Sequence, residues 1–146
     1  MSLPKATILL VDDNQELLDT YADLLPLLGY QVLTAPDGAA GLEVFEQSPR
    51  RPDCVVIDVR MPELDGYQLV RLFRGDPSTD QTPLVILTAM TQEVDQLRGL
   101  LSGADFYLTK PVSPETLIAT IEQAIHLDAA QRLARMKELD GTMPPE

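Results

Sequence analysis

The chain has 146 residues, 45% of them hydrophobic, and its 23 acidic side chains against 11 Lys and Arg give a formal net charge of −12. That length suits one domain with one core, and that charge argues against nonspecific attraction to nucleic acid or to an anionic membrane, both of which need excess Lys and Arg. No apolar run approaches the roughly 20 residues of a bilayer span, and no secretory signal is legible. The lone Cys54 in an apolar run reads as a buried thiol in a reducing, cytoplasmic setting.

Ala6 to Val11 is a short apolar run without alternation, as expected of a strand covered on both faces of a parallel sheet. From Asn14 to about Leu28, Leu17, Leu18, Tyr21, Leu24, Leu25 and Leu28 recur at helical spacing. Pro26 predicts a kink or an early end there, and Gly29 a stop. Tyr30 to Ala35 reads as a second strand, Gly38 to about Gln47 as a weaker helix, and residues 49–52 as a loop. Asp53 to Asp58 is strand three, Gly66 to Arg74 a helix, and residues 75–83 a polar loop. Leu84 to Thr88 is strand four. The helix after it, from about Gln92 to Ser102, places Val94, Leu97 and Leu101 inward. Its Gly99 costs about 1 kcal/mol of helix propensity relative to Ala and predicts the least rigid of the helices. Asp105 to Thr109 is strand five, and Ser113 with Pro114 caps and opens a helix through Leu117, Ile121 and Ile125.

Five strands alternating with five helices predict an α/β fold: a doubly wound five-stranded parallel sheet with helices on both faces. In such a sheet ligands bind outside the carboxyl ends of the strands. Asp12, Asp13, Asp58, Thr88 and Lys110 all fall at those ends. Crowded carboxylates repel one another until a proton or a metal relieves them, and hard oxygen donors suit Mg²⁺. Asp58 can then act as a nucleophile toward phosphorus, with Lys110 neutralising the transferring oxygens and Thr88 donating a hydrogen bond. Each residue alone has a plainer role. Asp12 and Asp13 can cap the next helix, Lys110 can be a surface charge, Thr88 a β-former, Tyr107 an edge-strand aromatic and His126 a solvated helix residue. Their joint placement at one sheet edge favours phosphate chemistry.

With these residues in view, the chain resembles the receiver domain of two-component response regulators over about residues 6–127. Ile8 to Asn14 resembles the acidic-pair strand, Asp58 to Gly66 the phosphoacceptor loop, Ile86 to Ala89 the switch-hydroxyl strand, and Gly103 to Pro111 the closing strand. The resemblance implies a flavodoxin-like strand order 2-1-3-4-5. It also implies phosphorylation of Asp58 by a phosphohistidine on a sensor histidine kinase or histidine phosphotransfer protein. Mg²⁺ would be held by Asp13, Asp58 and the backbone carbonyl of Arg60, with Asp12 assisting through water. Thr88 and Tyr107 would be the switch pair, and Lys110-Pro111 a cis peptide bond. Arg60 and Met90 occupy positions that modulate dephosphorylation in this family. Pro26 is unusual in a helix that often docks kinases.

The implied signal route is a face formed by the fourth helix, fifth strand and fifth helix, acting through homodimerisation or partner docking. A self-dephosphorylating acceptor rather than a turnover enzyme is expected. Two other readings stay open: an Asp-nucleophile phosphohydrolase, which usually places a second acid where Arg60 stands, and a pseudo-receiver interaction module, which would lack a site residue. Residues 128–146 read as a helical extension or linker and tail. Ala129, Leu133, Met136 and Leu139 keep helical spacing until Gly141 and Pro144-Pro145. That extension suits a linker toward an output domain beyond residue 146, a self-pairing helix or a frayed surface helix. Met1-Ser2-Leu3 reads as an added leader on a piece of a longer regulator.

Overall fold

The structure is a computed structural model, and it describes residues 3–142. Its elements in chain order are β1 (Thr7–Val11), α1 (Gln15–Leu27), β2 (Gln31–Ala35), α2 (Gly38–Gln47), β3 (Cys54–Ile57) and α3 (Gly66–Gly75). There follow β4 (Leu84–Thr88), α4 (Glu93–Leu101), β5 (Phe106–Thr109), α5 (Pro114–Ile125) and α6 (Ala129–Thr142). The sheet is parallel in the order β2-β1-β3-β4-β5. That is the expected topology. Register pairs Val11 with both Ala35 and Ile57, and Thr88 with Thr109, so the carboxyl ends of the strands finish together.

Side chains alternate between faces along a strand, and the two resulting cores divide accordingly. Leu9, Val11, Val55 and Ile57 pack under α2 and α3, where Phe45 and Phe73 meet edge to face at 5.0 Å. Ile8, Leu10, Cys54 and Val56 pack under α1 and α5 with Leu18, Leu25 and Ile121. Burial pushes the Cys54 thiol far up, with Asp105 and Asp53 adding to the effect, so it is an inert core group as its apolar strand suggested.

Helix starts follow sequence chemistry. Asn14, Asp37 and Ser113 accept from the backbone three residues on, and Asp65 forms a reciprocal capping box with Gln68. Pro26 lies in the last turn of α1, which ends one residue later, and Gly29 follows at φ +98°. The early end is thus observed.

Three expectations are corrected. Leu28 lies beyond α1 and is exposed rather than inward. In α4, Val94 is exposed and Gly99 is the buried position. A Cβ at Gly99 would stand 2.6 Å from the Tyr107 ring, so this glycine serves a close approach of helix to strand. Finally, α6 runs through Gly141 to Thr142, and among its described side chains Arg132 is the buried one while Leu133 is exposed. Arg132 is buried because it pairs with the Asp105 carboxylate, a contact that apolar spacing does not signal. Pro144-Pro145 lies outside the described residues, as do the side chains of Met136 and Leu139.

Candidate functional site: an acidic pocket at the carboxyl edge of the sheet

The ends of β1, β3, β4 and β5 bring the expected side chains together. Asp12 and Asp58 are buried just past β1 and β3, while Asp13 is exposed beside them. One carboxylate oxygen from each of Asp12, Asp13 and Asp58 lies within 4.8 Å of the others. The Lys110 ammonium reaches Asp12 at 2.8 Å and Asp58 at 3.6 Å. Its backbone N–H donates to the Thr88 carbonyl at 2.8 Å, tying the closing loop to β4, and the Lys110-Pro111 peptide is cis.

Two buried polar atoms in this pocket make no hydrogen bond: Asp58 Oδ1 and Thr88 Oγ1. Buried polar groups are nearly always satisfied, so orphans at one spot mark a place where an oxygen-rich or cationic ligand belongs. Burial raises the Asp58 carboxyl above its ordinary value, and the Asp12 charge adds to this. Nearby Thr88, Lys110 and the Arg60 backbone pull the other way. Thr88 is thus close enough to favour the charged form without closing a bond of good geometry.

Of the alternatives for the acidic pair, capping falls to Asn14, whose side chain accepts from the Leu17 N–H. Asp12 instead receives the Asn14 N–H at 2.9 Å through Oδ1 and Lys110 through Oδ2, which fixes its carboxylate. Arg60 is exposed in the loop after β3. That loop is folded by the Met61 and Gly66 N–H groups, both donating to the Val59 carbonyl at 3.0 Å. Gly66 is required there: a Cβ would stand 2.5 Å from the Asp58 carbonyl oxygen.

Tyr107 is half-buried, and its hydroxyl donates to the Met90 carbonyl at 3.0 Å in the loop that follows Thr88. Burial pushes this phenol well up, with neighbouring Tyr67 contributing. Sequence reasoning missed Tyr67, whose hydroxyl donates to the Asp95 carbonyl at 3.1 Å and so ties the start of α3 to α4. No local pattern distinguishes such a tyrosine from a core aromatic. His126 caps the end of α5 and is exposed beside Glu122, 3.5 Å away.

The fold and site together define a doubly wound α/β module with an acidic pocket, a lysine and a hydroxyl at the carboxyl edge of its sheet. The family model described as "Response regulator receiver domain" matches residues 8–122. The chain belongs to that family and so to two-component signalling. Protein PilH of Pseudomonas aeruginosa is 39% identical over 120 residues, spanning 82% of this chain and 98% of PilH. The probable transcriptional regulator ycf27 of Guillardia theta is 38% identical over 121 residues, 83% of this chain but only 46% of that protein. The chain therefore spans about half the length of several curated relatives it matches. Among solved structures, the chemotaxis protein CheY4 of Vibrio cholerae superposes with a TM-score of 0.75 at 32% identity, covering 84% of this chain and 99% of that one. No helix among the described residues is long and apolar enough to cross a membrane.

Proposed function

We propose that this receiver domain is a phosphoacceptor in which Asp58 takes a phosphoryl group from a phosphohistidine donor. The observation that carries the reading is the pair of orphaned buried oxygens, Asp58 Oδ1 and Thr88 Oγ1, facing a lysine and two further carboxylates. An Asp58 carboxylate oxygen attacks phosphorus in line with the donor's P–N bond. The new O–P bond forms as the P–N bond breaks, and the imidazole leaves with the electron pair and is reprotonated. Lys110 pairs with the transferred oxygens, and the Thr88 hydroxyl donates to one of them.

Asp12, Asp13 and Asp58 form a donor set that fits Mg²⁺: hard oxygens, clustered, on a charge excess that asks for a cation. The Arg60 carbonyl would complete it. When bound, Mg²⁺ would supply charge neutralisation at the transferred phosphoryl oxygens. The added charge, about −1.5 to −2, draws the Thr88 hydroxyl toward the phosphoryl group, and Tyr107 responds because it is bonded to the loop Thr88 begins.

The donor is a sensor histidine kinase or histidine phosphotransfer protein in the cytoplasm. A groove of about 420 Å³ beside α1, walled by Tyr21, Leu24, Pro111 and Val112, opens next to Lys110 and suits its approach. Output passes through α4, β5 and α5, to a second copy or to an output domain such as the extra length of the longer relatives would provide. One turnover per signalling cycle, with self-hydrolysis, makes it an acceptor rather than an enzyme. The test is incubation with phosphoramidate and magnesium, followed by intact-mass measurement and mapping. One phosphoryl adduct at Asp58, absent from Asp58→Asn, is expected. No adduct, or many turnovers on free ester, overturns the assignment.

A further inference from the structure

The last helix is seated on the very face assigned to output. Arg132 is 5% exposed, and its Nε donates to Asp105 Oδ1 at 2.6 Å while an Nη donates to Oδ2 at 3.2 Å. This is a bidentate fork, the strongest common geometry for an ion pair. The other Nη reaches Gln81 at 3.1 Å. One turn along, the Arg135 guanidinium lies 4.3 Å from the centre of the Phe106 ring. The helix also packs against α4.

This seating is made to be left. Asp105 does not depend on Arg132 for neutralisation, since Arg74 pairs with its Oδ2 at 3.2 Å and the Leu84 N–H donates to the same oxygen at 2.9 Å. Arg74 is itself fixed by the carbonyls of Gly103 and Thr82 at 2.8 and 2.6 Å. Departure of α6 therefore strands no buried charge, which is the usual large cost of breaking such a pair. The arginines return to water, and Leu133 is exposed already. The contacts that hold α6 among the described side chains are polar or cation–π, which is the kind of docking that opens locally at modest cost. It also opens with its own capping box, Asp128 with Gln131, so it starts as a helix without help from the domain.

The seat borders the switch. Arg135 stacks on Phe106, and the next residue, Tyr107, points to the opposite face of β5 and lies against Gly99 of α4. The Tyr107 ring thus sits between α4 and its own strand, and α6 bridges those two elements. We infer that the α4–β5 edge is a binding surface for a helix presenting two arginines one turn apart, with α6 as its resident occupant, displaced when Asp58 carries a phosphoryl group. The displacement rests on the phosphoacceptor reading; the seat itself does not.

Hydrogen exchange on the full chain tests both parts. Without any phosphoryl donor, Arg132→Ala and Arg135→Ala are each expected to speed exchange of the α6 amides at least tenfold while the sheet amides keep their protection. Unchanged α6 protection in both variants overturns the seat. With phosphoramidate and magnesium, and the adduct quantified by mass in the same sample, the phosphorylated wild type is expected to lose α6 protection as the variants do. A full adduct with α6 still protected overturns the displacement. Absence of an adduct overturns the phosphoacceptor reading and the coupling with it, and leaves the arginine variants to decide the seat. Coupling is reciprocal, so Arg132→Ala is also expected to bind beryllofluoride with magnesium about fivefold more tightly; equal affinity counts against displacement.

Discussion

Asp58 carries the chemistry and also a cost. Its folded carboxyl binds a proton more tightly than the unfolded one, chiefly through burial and then through Asp12. Such a group lowers stability as pH rises from the ordinary value of 3.8 through its raised folded value, because the charged form is disfavoured in the fold. The penalty is complete once pH exceeds the raised folded value. Asp58→Asn, which keeps the shape and removes the charge, is expected to melt higher than wild type at pH 7.5 in metal-free buffer, by about 2–4 °C for each kcal/mol relieved. The gain should shrink as pH falls toward 4. A variant that melts at or below wild type at pH 7.5 contradicts the electrostatic account. At this scale the sequence was informative: an acid at the end of each of two apolar strands and a lysine at the end of another sufficed to predict the pocket. It could not reveal which of Asp12 and Asp13 is buried, since that depends on Asn14 donating back to Asp12. Nor could it reveal Arg132, because an arginine in a polar helix normally reads as solvated.

Among the elements, two glycines show how backbone approach positions chemistry. Gly66 begins α3 directly against the Asp58 carbonyl, where a methyl group would meet backbone at 2.5 Å and Val59 Cα at 2.7 Å. Backbone cannot swing aside as a side chain can. Gly66→Ala should therefore displace the phosphoacceptor loop, costing about 1–3 kcal/mol or somewhat more, and slow adduct formation at Asp58 at least tenfold. Phosphorylation at the wild-type rate in a destabilised variant would mean that α3 yields and the loop does not. Gly99 in α4 is the second case, and it explains a partial failure of sequence reasoning. Its low helix propensity predicted a soft helix, and Val94 was expected inward. The structure instead turns Gly99 onto Tyr107 and leaves Val94 exposed, while Leu97 and Leu101 are half-buried, so helical periodicity misplaced one edge of the inward face. Period-based reading succeeds for β1, β3 and β4 because those strands are covered on both sides and their apolar runs are unbroken. It weakens where an element is half-covered, as in α4, β5 and α6.

The molecule as a whole carries −12 charge and gathers three carboxylates within 4.8 Å at one edge. Among the described residues one ammonium in the pocket, that of Lys110, pairs with them, so the site retains an excess of negative charge that a divalent cation would relieve. A ligand that binds the folded state alone stabilises it by an amount set by its concentration relative to its dissociation constant, about 2.7 kcal/mol at a hundredfold excess. Magnesium is thus expected to raise the melting temperature progressively, beyond what an equal ionic strength of NaCl achieves through screening. Asp13 is the residue that separates metal binding from general charge relief. It is exposed, so Asp13→Asn should leave the metal-free fold near wild-type stability, yet it removes one of three ligand oxygens. The variant is expected to lose most of the magnesium-specific rise and to keep the salt response. If Asp13→Asn responds to magnesium as fully as wild type, the trio is an acidic patch and the metal assignment fails, because screening alone would then account for the stabilisation.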